Sequence, residues 1–310
     1  MTVAIVISLI LIFNLIKQVE SLDFTSLLAY YRQGGSSVNL GPTRDTKLLS
    51  VIPPAFHDTI TSANILSNEQ IAPSTHHLSI AVRRSFRSAQ PGQSLGIAFP
   101  HQNNAIARLY SIAGLRDSVG HQIADFCVKR VPGGIASNFL CDRLPGDPLP
   151  GLYGPVGDRL VIKPNERKLI LIGAGTGVAP FRALLQAALD RPVNDPIQFM
   201  VFFGFRNYES FLYLDDLKRF PSNVNVSFSK EDGAVVSLPK SWKVRKGYVQ
   251  EALKVERETV LEFVKNGGSI LICGSTDMGK GVLQVLKEVV LGNELFREMQ
   301  RTKRLRDELY

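Results

Sequence analysis

Hydrophobic and polar positions follow two different rhythms along this chain. Between residues 60 and 164 short apolar runs are broken by turn residues: SANILSNEQI, HHLSIAVRRSF, SLGIAFP, ARLYSIAG, QIADFCVKRV and DRLVIKP. Alternation of that kind predicts an antiparallel sheet or barrel. One stretch, 136–144 (ASNFLCDRL), reads instead as a short helix, with Ser137 as its cap and Pro145-Gly146 as its stop. Beyond residue 164 the rhythm changes. RKLILI (167–172) is a continuous apolar run, as in a parallel strand buried on both faces. IQFMVFFG, VNVSFS and SILICGS repeat it, and stretches with helical spacing at 209–220, 249–265 and 278–291 separate them. The predicted architecture is two-domain: an antiparallel β-barrel over 59–164 and an α/β doubly wound parallel sheet over 165–310.

The first 58 residues fit neither rhythm. VAIVISLILIFNLI (3–16) is nearly all apolar but shorter than the ~20 residues that span a bilayer. With Lys17 and the small residues near Ser21 it reads as a signal peptide-like leader over 1–21, a membrane anchor being the other reading. Residues 22–58 are rich in Ser, Thr, Gly and Pro and poor in acids, which suits a transit-like or flexible segment. The pair resembles the bipartite leader of proteins sent to plastids bounded by secondary membranes, the apicoplast among them. Membrane contact is expected only through this leader, if it is retained.

Composition narrows the function classes. The 310 residues are 45% hydrophobic and 21% charged, as in a globular enzyme, and carry a formal net charge of +8. That excess attracts an acidic partner or an anionic surface. No motif interleaves aromatic and basic residues, so nucleic acid is not an expected partner. Three cysteines and five histidines show no metal-ligand spacing, and no metal site is expected.

Two strings carry candidate chemistry. Arg108-Leu109-Tyr110-Ser111 offers a cation for a phosphate, a flat ring to stack on an isoalloxazine and a hydroxyl to hydrogen-bond near it, although an ordinary strand carries such residues too. GAGTGVAP (173–180) leaves an apolar strand through a glycine turn into a helix, where backbone amides favour a pyrophosphate. It lacks a third glycine at the usual dinucleotide spacing. Ligands of doubly wound sheets lie at the carboxyl ends of the strands, which points to Thr176, Phe205, Arg206, Ser229, Lys230, Cys273 and Gly274.

Taken in order, RLYSIA, CVKR (127–130), SNFLCD (137–142), GPVG (154–157), G-x-GTG-x-APFR (173–182), ICG (272–274) and a C-terminal Glu-x-Tyr resemble the plant-type ferredoxin–NADP reductases over about residues 60–310. The resemblance implies an FAD enzyme that moves electrons between NADP(H) and ferredoxin, an acidic 2Fe-2S protein; a monomer is expected. It implies that Arg108, Leu109, Tyr110 and Ser111 bind FAD, Tyr110 on one flavin face. Cys127, Val128 and Lys129 would line that site, Lys129 also reaching NADP. Ile135, Ala136 and Ser137 would hold the FAD pyrophosphate, and Thr176 would stand where both nucleotides meet.

For NADP the resemblance implies Gly175, Thr176, Gly177, Phe205, Arg206, Gly274 and Ser275 along the dinucleotide, Ser229 and Lys230 at the 2′-phosphate, and Lys246, Tyr248 and Gln250 around the adenine. Ser111, Cys273, Glu308 and Tyr310 would form the catalytic set: Cys273 beside the nicotinamide, Glu308 supporting it, Tyr310 on the other flavin face. Lys230 stands where the family has arginine, Ala136 where it commonly has cysteine, and the loop after Arg130 lacks the tyrosine that often covers the FAD adenine. The alternatives are a reductase component for another acceptor, of diflavin or cytochrome reductase type, and a degenerate nucleotide-binding module. The first usually brings a flavodoxin-like domain and a helical insertion for which these 310 residues have no room.

Overall fold

The computed structural model describes residues 45–310 except 84–87, 119, 221–222 and 231–237. The leader expected over 1–21, and most of the segment expected over 22–58, lie outside the described residues. Among the described residues no helix is long and apolar enough to cross a membrane.

The alternating half closes into a six-stranded antiparallel barrel. Its strands are β1 (Thr61–Ala72), β2 (Thr75–Arg83), β3 (Ser94–His101), β4 (Asn104–Ser118), β5 (His121–Lys129) and β6 (Pro148–Val156), in the order β1-β2-β5-β4-β3-β6. Ile65, Leu78, Ile80, Leu95, Ile97, Ile112, Phe126 and Leu152 fill the interior. Closure lets one apolar face per strand suffice for a core.

Two sequence expectations in this half were wrong. DRLVIKP is not a strand; it forms turns and a connection. Its polar groups run along the last strand of the second domain, Arg306 bonding the Val161 carbonyl and Arg159 the Asp307 carbonyl, while Leu160 is buried between the domains. The sixth strand is PLPGLYGPV, whose prolines and glycines argue against a strand. Its glycines answer a close approach, because a Cβ on Gly151 would stand 2.8 Å from the Ala98 carbonyl oxygen on β3. The helix α2 (Ile135–Cys141) also begins earlier than expected: its cap is Gly134, and Ser137 sits inside the first turn with its hydroxyl accepting from the Val131 amide.

Residues 45–58 are not a flexible arm. Asp45 caps a short helix, α1 (Thr46–Val51), by accepting from the Lys47 and Leu48 amides, and a 3-10 turn follows over Pro54–Thr59. Leu48 and Ile52 are buried against Ala98, Ala105 and Tyr153 on the barrel's outer face. The apolar residues of this stretch, Leu48, Leu49, Val51, Ile52 and Phe56, form too short a run for a period to show.

The second half is a parallel six-stranded sheet of order β10-β9-β8-β7-β11-β12. Its strands are β7 (Lys168–Ala174), β8 (Gln198–Phe205), β9 (Val224–Phe228), β10 (Lys243–Lys246), β11 (Ser269–Gly274) and β12 (Leu305–Leu309). α3 (Ala179–Leu189) and α4 (Leu214–Lys218) cover one face, and α5 (Val249–Val255), α6 (Arg257–Lys265), α7 (Thr276–Val285) and α8 (Gly292–Arg301) the other. Both faces are covered, so β7 and β11 read as unbroken apolar runs. The helix expected over 209–220 is only a 3-10 turn and the short α4. That expected over 249–265 is two helices meeting at Glu256, which Lys243 and Arg245 hold in ion pairs.

The order of strands reverses between β7 and β11. The crevice above that switch point is where such sheets take ligands. The barrel is set against it: Ala72, Ala113 and Cys127 of the barrel join the core formed by Phe181, Phe203 and Leu271.

Candidate active site at the domain cleft

The cleft begins with a fork in the barrel. β4 and β5 leave their hairpin paired, and their last pairing is Ile112 with Phe126, after a register shift at Ile112 and Gly114. Arg108, Leu109, Tyr110 and Ser111 then pair only with β3, at Ile97, Gly96, Leu95 and Ser94. Cys127, Val128 and Lys129 pair only with β2, at His77, His76 and Thr75. Two strand edges with unpaired backbone groups thus face each other, and every barrel residue expected at the flavin ring lies on one of them. Tyr110 is half-buried beside Phe126; burial, with Cys141 adding and Arg108 opposing, pushes its hydroxyl up to about 12. Arg108 is exposed, and the Val128 side chain belongs to the barrel core, so only its backbone faces the fork.

Below the fork lies the start of α2. Asn138 is the first residue whose amide bonds back within the helix, to the Gly134 carbonyl, so the amides of Ile135, Ala136 and Ser137 precede that ladder. Gly133 has φ +71 and no atom within 4 Å of where a Cβ would be, which leaves the backbone open to close approach.

The other wall of the cleft is built from the carboxyl ends of β7, β11 and β12. Register places Cys273 between Gly173 and Glu308. The Glu308 carboxylate crosses to the barrel, where Oε1 accepts from the Ser111 hydroxyl at 3.2 Å and the Ser94 hydroxyl at 3.0 Å. Cys273 is fully buried; burial, reinforced by Glu308, pushes its thiol far above the ordinary range and keeps it neutral. Tyr310 is 60% exposed as a residue, but its hydroxyl turns inward to Thr176 Oγ1 at 2.8 Å. Its backbone is held too, since the Tyr310 amide donates to the Gly274 carbonyl and the Thr276 amide donates to the Tyr310 carbonyl. A last residue tied at three points is not a frayed end.

The glycine turn has two separate reasons for its glycines. Gly175 has φ +54, and a Cβ on Gly177 would stand 2.2 Å from the Cys273 carbonyl oxygen. Gly177 therefore lets β11 pass close to the turn, the packing role such strings often have, while Gly175 shapes the loop that faces the crevice.

The expected NADP residues lie in one row along the carboxyl edge of the sheet. Arg206 follows β8, Ser229 and Lys230 follow β9, Lys246 ends β10, Tyr248 caps α5, and Gly274 and Ser275 join β11 to α7. Arg206, Lys230, Lys246 and Tyr248 are exposed. Gln250 lies over Gly281 of α7, and its Oε1 is buried without a hydrogen-bond partner. Phe205 differs from its expected place: its ring is buried against Phe211 and Phe228, and only its carbonyl, which accepts from the Ser229 amide, is near the row.

Sequence reasoning missed Ser94, whose role needs the pairing of β3 with β4, and a polar junction behind the fork. Asp125 on β5 is fully buried and accepts from Ser79 and Arg116. Arg182 on α3 lies 3.4 Å from Asp125, donates to the Ala113 carbonyl of β4 and pairs with Asp216 of α4. Burial opposes ionisation of Asp125, but Arg116, His77, the Ser79 hydroxyl and Arg182 together hold its carboxyl below the usual range. No local spacing marks these residues, which come from five separate elements: β2, β4, β5, α3 and α4.

A model of the oxidoreductase FAD-binding domain matches residues 62–159, and one of the oxidoreductase NAD-binding domain matches residues 171–284. The root-type ferredoxin–NADP reductase isozyme of Nicotiana tabacum is 32% identical over 226 residues, 64% of this chain and 59% of that protein. The two matches place an FAD-binding and an NAD-binding oxidoreductase domain side by side in one chain. Arabidopsis thaliana root isozyme 1 of ferredoxin–NADP reductase is 31% identical over 225 residues, with the same coverage. Among solved structures, the ferredoxin–NADP reductase of Plasmodium falciparum aligns with a TM-score of 0.61 at 20% identity, over 81% of this chain and 96% of that one, a likeness of fold. The chain spans about three fifths of the length of the curated plant relatives it matches.

The residues present fit both nucleotides of such a fold. The fork supplies unpaired main-chain groups for the polar edge of a flavin, and the start of α2 supplies amides without intrahelical acceptors for its pyrophosphate. On the other domain, the orphaned Gln250 Oε1 and the exposed cations at the ends of β9 and β10 suit the adenosine end of a phosphorylated dinucleotide.

Proposed function

We propose that this chain is an FAD-dependent reductase that exchanges electrons between NADP(H) and ferredoxin. The observation that carries the reading is the contact of Glu308 with Ser94 and Ser111, because it brings the end of the nucleotide-domain sheet onto the flavin-facing strand of the barrel. FAD would be held by Arg108, Tyr110 and Ser111 on β4, by the backbone of Cys127, Val128 and Lys129 on β5, and by the amides of Ile135, Ala136 and Ser137. Bound there, it would take up the two electrons of one hydride and pass them on singly.

The chain's own groups prepare that exchange. The Ser111 and Ser94 hydroxyls donate to Glu308 Oε1 and fix the carboxylate at the domain boundary. Cys273 offers a buried, neutral thiol, an uncharged surface for a nicotinamide ring to lie against. Tyr310 covers this end of the cleft and excludes water; its hydrogen bond to Thr176 must break for a nicotinamide to enter. Lys230 and Lys246 favour NADP over NAD by placing positive charge where a 2′-phosphate would lie, although a lysine lacks the bidentate fork of arginine.

The relatives named for ferredoxin and the chain's net charge of +8 support an acidic iron–sulfur protein as partner. The chloroplastic relatives and the composition of residues 1–58 support a plastid location. The deciding experiment is the visible spectrum of the purified protein, followed by anaerobic addition of NADPH or NADH and a ferredoxin-coupled assay. Flavin that NADPH reduces faster than NADH, with electrons passed on to ferredoxin, is the expected result; flavin that NADPH leaves oxidised refutes it.

A further inference from the structure

Tyr213 stands just before α4 with φ +59, a left-handed backbone conformation that a bulky residue adopts only where its surroundings impose it. Its side chain reaches out of the nucleotide domain into the barrel. There its hydroxyl lies 3.1 Å from Nδ1 of His77, and its ring packs against the cluster that holds Cys127. His77 and Cys127 are cross-strand partners on β2 and β5. The Tyr213 ring lies edge-on to His77 at 5.7 Å, and the Arg182 guanidinium lies over it at 4.7 Å from the ring centre.

These contacts form one continuous path. His77 Nε2 faces the buried Asp125 carboxylate at 3.7 Å, which favours the tautomer with its proton on Nε2 and leaves Nδ1 to accept from the Tyr213 hydroxyl. Arg182 ties the ring to Asp125, to Asp216 and to the Ala113 carbonyl of β4. The tyrosine therefore reaches, through His77 or through Arg182, both arms of the fork: Cys127 on β5, the cross-strand partner of His77, and Ala113 two residues from Ser111 on β4. We infer that Tyr213 is a positioning residue that pins the flavin-facing edge of β5 to the nucleotide domain, and so sets where the nicotinamide meets the flavin. The inference rests on the proposed reading of the cleft. It assigns Tyr213 no contact with either nucleotide.

The test uses the holoprotein and three variants. Tyr213→Phe keeps the ring and its contact with Arg182 but removes the hydroxyl from His77. The rate of flavin reduction at saturating NADPH is expected to fall about tenfold, since small displacements of reacting groups cost rate steeply, with the half-saturating NADPH concentration changed less than about twofold. His77→Asn keeps a polar atom near the Nδ1 position and should stay within about twofold of the native rate, whereas His77→Leu should reproduce the loss. A second readout does not depend on turnover: the visible circular dichroism of the bound flavin should shift in Tyr213→Phe and His77→Leu and not in His77→Asn. Native rates in Tyr213→Phe and His77→Leu, with only a lowered melting temperature, would reduce Tyr213 to a structural residue and overturn the inference. Equal losses in His77→Asn and His77→Leu would overturn it as well. If Tyr213→Phe does not fold, the His77 pair decides. Should NADPH fail to reduce the native flavin, the proposed function falls, while the dichroism still tests the pin on β5.

Discussion

The two ends of the cleft are built on opposite terms. At the end proposed for the flavin, Ser94 and Ser111 bond to Glu308, Thr176 bonds to Tyr310, and the Cys273 thiol near them is wholly buried. At the far end Arg206, Lys230, Lys246 and Tyr248 stand exposed at the tips of strands. The closed end fixes geometry, which a hydride transfer needs within fractions of an ångström. The open end supplies charge, which acts over several ångströms and tolerates movement. Substitutions at the first should therefore change rate or folding, and those at the second should change which nucleotide binds.

The sharpest break is expected at Gly177. A methyl group there would collide with the Cys273 backbone, which cannot give way without moving β11. Gly177→Ala should cost about 3 kcal/mol or more and leave little soluble holoprotein, as read from expression and thermal melts. A soluble variant of native stability would show that the turn and β11 are less tightly apposed.

Next comes the carboxylate behind the fork. Asp125 has a folded value below that of a free carboxyl, so its contribution to stability is complete above about pH 4, the unfolded value, and fades as pH falls towards the lower folded value. Asp125→Asn should cost about 3 kcal/mol near neutrality and flatten the dependence of melting temperature on pH below about 4, because it leaves Arg116 and Arg182 without their buried anion. An unchanged acid profile would mean that other carboxylates control acid unfolding.

Glu308→Ala should slow flavin reduction at saturating NADPH about a hundredfold while leaving flavin bound, since it removes the group that joins the two walls. Equal losses with NADPH and NADH would place the effect at the closed end. Lys230→Ala should do the reverse: kcat/KM for NADPH falls about tenfold, that for NADH stays within about twofold, and the limiting rate is unchanged. A variant that lost both equally would remove Lys230 from the 2′-phosphate. The smallest effect is on the partner. Raising salt from 10 mM to physiological strength should slow ferredoxin-dependent turnover a few-fold and leave reduction of a neutral small acceptor nearly unchanged.

Legibility in the sequence followed range. β7 and β11 were plain because a strand buried on both faces needs an unbroken apolar run, and RKLILI and SILICG supply it. β6 was hidden because its residues answer a close neighbour, Ala98 on β3, and not the demands of an isolated strand. β10 and β12 were hidden because they are short edge strands of mixed polarity, KVRK and LRDEL, whose partners define them. DRLVIKP misled for the converse reason, since its apolar residues serve the seam between domains. The site expectations came from family motifs. Among them, Phe205 turns its side chain into the aromatic core with Phe211 and Phe228, and Val128 turns its side chain into the barrel core.

By itself the sequence determined which residue types were available and in what local setting: alternating runs for a barrel, continuous runs for a covered sheet, a glycine turn after a buried strand, and RLYS on a strand. Those features depend on neighbours within a few positions, and periodicity records them directly. Only the tertiary structure decided that Glu308 meets Ser94 and Ser111, that Gly177 must yield space to Cys273, and that Tyr213 enters the barrel beside His77. These contacts join residues far apart in the chain. They exist because closing the barrel opens a fork at β4 and β5, and because the shared core of the two domains holds the reversing sheet against it.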